Sequence, residues 1–263
     1  MVTRDTPWPE GTPCWVDLGV SDFGKAARFY SGLLGWSVQA GPPEAGGYAV
    51  CTKAGRPVAG IGPKQGPAEA PPYWTTYLAA NNVDEIAAKV TKAKGQVLMG
   101  PMDVLDVGRM AVAVDVAGAA FGIWQARKHI GVGIANEPGT LCWNENMTRD
   151  FAANKNFYAA VFGYEYEVVE DGGEGGFQYN TIKVAGNVVG GIGALTADFP
   201  AEVPPHWMTY FAVRDTDAAI NKVTELGGKV IRPAFDMPYG RMAVVHDDQG
   251  AVFSLISVPV SDA

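Results

Sequence analysis

The chain has 263 residues, 48% hydrophobic and 18% charged, which is enough apolar material for one large or two ordinary globular domains and too much for a disordered or fibrous protein. Its 28 acidic residues against 20 basic ones give a formal charge of -8, which repels phosphate backbones and anionic headgroups, so neither nucleic acid nor membrane is expected as a partner. Residues 1–11 hold no apolar run and no later stretch approaches a membrane span; Cys14, Cys51 and Cys142 have neither CxxC spacing nor an even count, and a cytoplasmic protein with reduced thiols is the expectation.

In chain order, residues 12–20 form an extended, β-rich run. Asp22 then stands at a helix N-cap, before Ala26, Ala27, Phe29, Tyr30, Leu33 and Leu34 at helical spacing, and Gly35 stops that helix. Strand-like pieces follow at 36–39, 48–52 and 58–61. From Trp74 the order returns: a strand to Ala80, a cap region at Asn82, a helix through Ile86, Ala87 and Val90, and strands at 96–98, 109–114 and 120–125. This is two βαβββ units.

The whole pattern then repeats. Cys14-Trp15-Val16-Asp17 returns as Cys142-Trp143-Asn144-Glu145, 128 residues on, and Gly108-Arg109-Met110-Ala111-Val112 returns as Gly240-Arg241-Met242-Ala243-Val244, 132 residues on. Two homologous halves, 11–127 and 139–258, flank a connector at 128–138. The expected fold class is α+β: four βαβββ units forming two cup-shaped mixed sheets with helices outside. Because Arg109 and Arg241 recur together, they read as ties within the fold.

With Asp22, Phe29, Tyr30, Leu34, Gly35 and Trp36 in strand–Asp–helix order, and closing strands entered by Asp115-Val-Ala-Gly118 and Asp247-Asp-Gln-Gly250, the chain resembles the vicinal-oxygen-chelate superfamily. That superfamily contains glyoxalases, extradiol dioxygenases and bleomycin-resistance proteins; the likeness is nearest to its two-domain actinobacterial group labelled hydroxylases. The resemblance implies a divalent metal in each cup, with first-strand ligands seven residues before each helix cap and fourth-strand ligands seven residues after the turn Asp. Those positions hold Trp15, Thr75, Trp143 and Met208, and Gly122 and Ser254. Residues 54–63 and 184–195, which span the other two fourth strands, contain no His, Asp, Glu or Cys, and His129, His206 and His246 have no counterparts across the repeat. No metal and no cofactor are expected.

Strand alternation groups Trp15 with Asp17, Thr75 with Tyr77, Gly122 with Trp124, Trp143 with Glu145, Met208 with Tyr210, and Ser254 with Ile256. Such a lining suits a planar, partly apolar small molecule, an aromatic or quinone-like metabolite or drug, bound without metal. A second reading stays open: a metal-free tailoring enzyme, a hydroxylase, cyclase or isomerase, with Asp17, Glu145, Tyr77 and Tyr210 as proton-transfer groups. A metal-dependent lyase or dioxygenase is opposed by the missing ligands, and cups closed by their own side chains form a further alternative. Smaller side chains point first to the cup of Trp15, Asp17, Thr75 and Gly122, with Gly46-Gly47 and the glycine-rich turn at 172–176 as candidate lids. The second half can supply the pseudo-twofold partner, so a monomer is favoured.

Overall fold

The structure, a computed structural model, describes residues 2–65, 71–171, 173 and 176–257. The elements are β1 (Val2–Thr3), β2 (Pro13–Val20), α1 (Phe23–Leu34), β3 (Ala49–Lys53), β4 (Arg56–Pro63), β5 (Trp74–Ala79), α2 (Val83–Lys92), β6 (Gln96–Val104), β7 (Gly108–Val114), β8 (Ala120–Ala126) and β9 (Ile134–Ala135). The second half adds β10 (Leu141–Thr148), α3 (Phe151–Phe162), β11 (Glu165–Asp171), β12 (Gln178–Val184), β13 (Asn187–Ala194), β14 (His206–Ala212), α4 (Thr216–Glu225), β15 (Lys229–Met237), β16 (Gly240–His246) and β17 (Val252–Ser257). No helix among the described residues is long and apolar enough to cross a membrane.

Each of these helices begins on an Asx side chain that accepts a first-turn N–H: Asp22 from Lys25, Asn82 from Asp84 and Glu85, Asp150 from Ala153, and Asp215 from Ala218. Gly35 and Gly163 end α1 and α3 in the left-handed region, at φ 71° and 70°. The seven strands of the first sheet run β3-β4-β2-β5-β8-β7-β6, and the eight of the second run β11-β12-β13-β10-β14-β17-β16-β15. In both, the first strands of the two units are antiparallel neighbours, β2 with β5 and β10 with β14, and each has a parallel strand of its own unit on its far side.

The halves differ at the strand expected over 36–39, which is reduced to a single bridge between Ser37 and Thr52, whereas β11 forms at the equivalent place. Trp36 is turned into the core, its indole N–H donating to Gly139 O at 2.7 Å, and Pro42 and Pro43 bring no N–H to a ladder.

The helix-bearing faces of the two sheets meet. Asn144 Nδ2 on β10 donates to Thr76 Oγ1 on β5 at 2.8 Å, and the helices cross over: Phe29 and Tyr30 of α1 lie against Phe253 of β17, while Phe157, Tyr158 and Phe162 of α3 lie against Phe121 of β8. Each core is therefore built from both halves. Reciprocal polar locks hold the arrangement: Tyr158 Oη accepts from Trp207 Nε1 and donates to Asp115 Oδ2 at 2.9 Å, and Tyr30 Oη accepts from Trp74 Nε1 and donates to Asp247 Oδ2 at 2.9 Å. Arg109 forks onto Asp84 and reaches Asp103, and Arg241 does the same to Asp217 and Asp236, so both arginines tie a helix start to the neighbouring hairpin. The connector contributes β9, which pairs antiparallel with β1.

Candidate functional site

With the helix-bearing faces packed on each other, the opposite faces carry the residues singled out from the sequence. On the first sheet Asp17 pairs in register with Thr75 on β5 and with Gly60 on β4, and Trp15 pairs with Tyr77. Trp15 Nε1 donates to Tyr48 Oη at 2.8 Å, and the phenols of Tyr48 and Tyr77 both donate to Asp17 Oδ2, at 3.2 and 3.0 Å. The second sheet repeats this in different chemistry: Trp143 Nε1 donates to Tyr179 Oη at 2.9 Å, Tyr179 donates to Glu145 Oε2 at 2.9 Å, and Tyr210 donates to Glu145 Oε1. Each cup thus holds a Trp–Tyr–carboxylate–Tyr chain.

Burial raises the Asp17 carboxyl to about 6 against the pull of its phenol donors and Thr75, and it raises Glu145 for the same reason. The phenols of Tyr48, Tyr77 and Tyr210 are pushed well above their ordinary range, by burial first and by the adjacent carboxylate second, so they stay protonated donors. A chemically useful consequence is a carboxyl that changes charge near neutrality beside fixed O–H groups.

Tyr48 and Tyr179 are the members that strand alternation alone missed. The repeat carried the signal, since they stand 131 residues apart, within the drift of the other matched motifs. Their rings need glycine beneath them: a Cβ on Gly60 would lie 1.8 Å from Tyr48 Oη, and one on Gly191 would lie 1.9 Å from Tyr179 Oη.

Gly122 corrects one expectation. The space over it is filled by Tyr77, whose Cδ1 would lie 2.1 Å from an added Cβ, so this small residue seats an aromatic ring and leaves no ligand volume of its own. Gly122→Ala is expected to cost about 1–3 kcal/mol by overpacking, read from urea unfolding, and to cost much less in a Tyr77→Ala background. An undiminished loss in that background would show that Tyr77 is not what the new methyl meets.

The first cup is also covered. The His129 ring lies edge-on to Trp15 at 4.3 Å, its carbonyl accepts from Trp124 Nε1 at 2.9 Å, and Trp15 is 3% exposed, whereas Trp143 is half-buried. Burial lowers His129 to about 4. Trp124 also borders a cavity of about 160 Å³, lined with Trp8, Cys14 and Ile130, and neither Trp15 nor Asp17 is among its lining residues. Ser254 is fully buried next to Tyr210, its register partner, and Met208 pairs with Glu145. Of the candidate lids, Gly46 closes a short 3-10 turn ahead of Tyr48. In the turn at 172–176, residues 172, 174 and 175 lie outside the described residues.

The donor set does not fit the metal that the fold's catalytic relatives hold. The six ligand positions present two indoles, a thioether, two hydroxyls and a glycine, and each cup's single carboxylate is engaged by phenols. Among the described residues no three His, Cys, Asp or Glu gather, and His206 and His246 each face a local backbone carbonyl.

Comparison with known proteins agrees with this architecture. The family model described as the glyoxalase/bleomycin resistance protein/dioxygenase superfamily matches residues 14–123 and 145–255. The chain is 42% identical over 258 residues to "Putative glyoxylase CFP32" of Mycobacterium bovis, covering 96% of this chain and 97% of that protein. It is 35% identical over 271 residues to the anthracycline biosynthesis protein DauV of Streptomyces sp. strain C5, covering 98% and 96%. Among solved structures, the Mn(II)-bound glyoxalase from Novosphingobium aromaticivorans aligns with a TM-score of 0.64 at 15% identity, covering 94% of this chain and 83% of that one, a likeness of fold.

Proposed function

The chain belongs to the glyoxalase/bleomycin resistance protein/dioxygenase superfamily, and from that premise we propose that it binds a planar, partly apolar small molecule, aromatic or quinone-like, without a metal. The observation that carries this reading is the replacement of the ligand set by a Trp–Tyr–carboxylate–Tyr chain in both cups. Indole and phenol faces stack on a flat ligand, and the carboxyl and phenols orient its polar edge. A relative named for anthracycline biosynthesis supports the ligand class, because anthracyclines are planar fused-ring quinones. The three cysteines are free thiols, which suits a cytoplasmic protein, and we take the working unit to be the monomer.

The Asp17 carboxyl, raised to about 6 among phenol donors, favours one second reading, in which Asp17 or Glu145 moves a proton on the bound molecule with Tyr77 or Tyr210 as partner. The deciding experiment is a tryptophan-fluorescence titration of chelator-treated protein with an anthraquinone probe, repeated with added zinc or manganese. Saturable quenching without metal is expected, and removing the indole of the occupied cup, by Trp15→Ala or Trp143→Ala, should weaken binding by about 1–3 kcal/mol. Quenching that needs the metal would overturn the proposal. Turnover of a bound probe, lost in Asp17→Asn or Glu145→Gln while binding survives, would select the enzymatic reading.

A further inference from the structure

Rows of register partners run straight across each sheet, from the outer hairpin to the central strands. In the first half one row is Met99–Val112–Gly122–Tyr77–Trp15, and the corresponding row in the second is Arg232–Val244–Ser254–Tyr210–Trp143. Register partners present their side chains on the same face of a sheet, so Arg232 belongs to the face that carries Trp143 and Tyr210. The adjacent rows, Met102–Met110–Trp124 and Phe235–Met242–Ile256, place Phe235 where the first cup has Met102. Two thioethers on the wing of one cup are thus replaced by an arginine and a phenylalanine on the wing of the other.

These two residues are not independent. The Arg232 guanidinium lies 3.7 Å from the centroid of the Phe235 ring, and Arg232 makes no ion pair among the described residues. Stacking fixes the plane of the guanidinium while leaving its edge N–H groups free, so less side-chain freedom is lost when they close on a carboxylate or phenolate. At the opposite side of the same cup, Phe177 stacks on Tyr179 at 6.1 Å with the ring planes 22° apart, adding an aromatic surface where the first half has the glycine turn before Tyr48. Trp143, which shares a face with Arg232 and donates to Tyr179, is half-buried, in contrast to Trp15 against His129.

We propose that the second cup is the ligand site and that it takes planar molecules carrying an acidic group, a carboxylate or an ionised phenol, which Arg232 binds while stacked on Phe235. The proposal rests on the binding function above and adds the cup and the charge of the ligand. It also reverses the preference for the first cup, whose small residue Gly122 seats Tyr77 and whose indole is covered. In a chain of net charge -8 an anionic ligand needs a local cation, and the stacked guanidinium supplies one at the cup wall.

The test uses the intact, chelator-treated protein and two probes, anthraquinone-2-carboxylate and its methyl ester, titrated by calorimetry at pH 7.5. The carboxylate should bind more tightly than the ester, and Arg232→Gln should weaken the carboxylate about tenfold or more while changing the ester by less than about twofold. Arg232→Lys, which keeps the charge and loses the fork, should fall between. Trp143→Ala should weaken both probes and Trp15→Ala neither. Arg232→Gln acting equally on both probes, or on neither, would overturn the charge recognition while leaving the binding function standing. Loss on Trp15→Ala in place of Trp143→Ala would overturn the choice of cup. Absence of saturable binding by either probe to the unaltered protein would overturn the binding function and this inference together.

Discussion

Replacing Asp115 by Ala is expected to destabilise the protein by about 3–5 kcal/mol, the cost of breaking a buried, charge-assisted cluster. Asp115 is 4% exposed, and its carboxylate accepts six hydrogen bonds. Oδ1 takes the backbone N–H groups of Ala117, Gly118 and Ala119 at 2.9–3.0 Å, which shapes the turn into β8; Oδ2 takes Tyr158 Oη and the amides of Asn146 and Asn154, all from the second half. Alanine would leave buried donors with no acceptor, which is the source of that cost. Among the described residues the Asp247 carboxylate accepts from Gln249 N, Ala251 N and Tyr30 Oη, half as many donors, so Asp247→Ala should cost less. Urea unfolding followed by fluorescence and by circular dichroism gives both numbers, and a double-mutant cycle of Asp115→Ala with Tyr158→Phe should be clearly non-additive. Additive losses, or a cost for Asp115→Ala below that for Asp247→Ala, would mean that the halves are not held through this carboxylate.

The lock explains what the sequence could and could not reveal. Asp22, Asn82, Asp150 and Asp215 were legible as caps because capping is local, needing only an Asx side chain and the next turn of backbone. The facing of Trp15, Asp17, Thr75 and Tyr77 was legible because alternation within a strand depends on nothing else. By contrast, the apolar stripe through Phe29 and Tyr30 says that α1 is buried and is silent on what covers it; besides Trp74 of its own half, the cover includes Phe253 of the other half. The strand expected over 36–39 failed for a related reason, since the acceptor that draws Trp36 inward is Gly139, more than a hundred residues away. Tyr48 and Tyr179 went unread because they lie outside the strands whose alternation was followed, although their 131-residue spacing within the repeat could have found them. The same long-range packing turned Gly122 from an indicator of free volume into a seat for Tyr77.

Asp17→Asn is expected to make the protein more stable at pH 8 and to leave it unchanged at pH 4. The carboxyl titrates at about 6 in the folded chain and near 3.9 when unfolded, so between those values the folded state holds more protons than the unfolded state. Stability from this group is fully present below about pH 4 and is lost as the pH rises through about 6. Linkage alone sets the loss at about 3 kcal/mol, and because Asp17 keeps part of its surface in water we expect about 2 kcal/mol. Asparagine is nearly isosteric and its carbonyl still accepts from Tyr48 and Tyr77, so the variant removes the charge and keeps the network. The readout must be the difference between variant and unaltered protein at each pH, because His129, lowered to about 4, contributes with opposite sign: its stability is present above about 6.5 and is lost as the pH falls through about 4. Glu145 is raised as Asp17 is, so Glu145→Gln should repeat the pattern from the second cup. Unfolding free energies from urea curves at pH 4, 6 and 8 decide the matter. An Asp17→Asn variant that is less stable than the unaltered protein at pH 8 would show that the phenol hydrogen bonds outweigh desolvation. A carboxylate that destabilises the fold above its folded-state titration is expected in both cups, because a neutral amide in the same place would keep the hydrogen bonds without the cost of a buried charge.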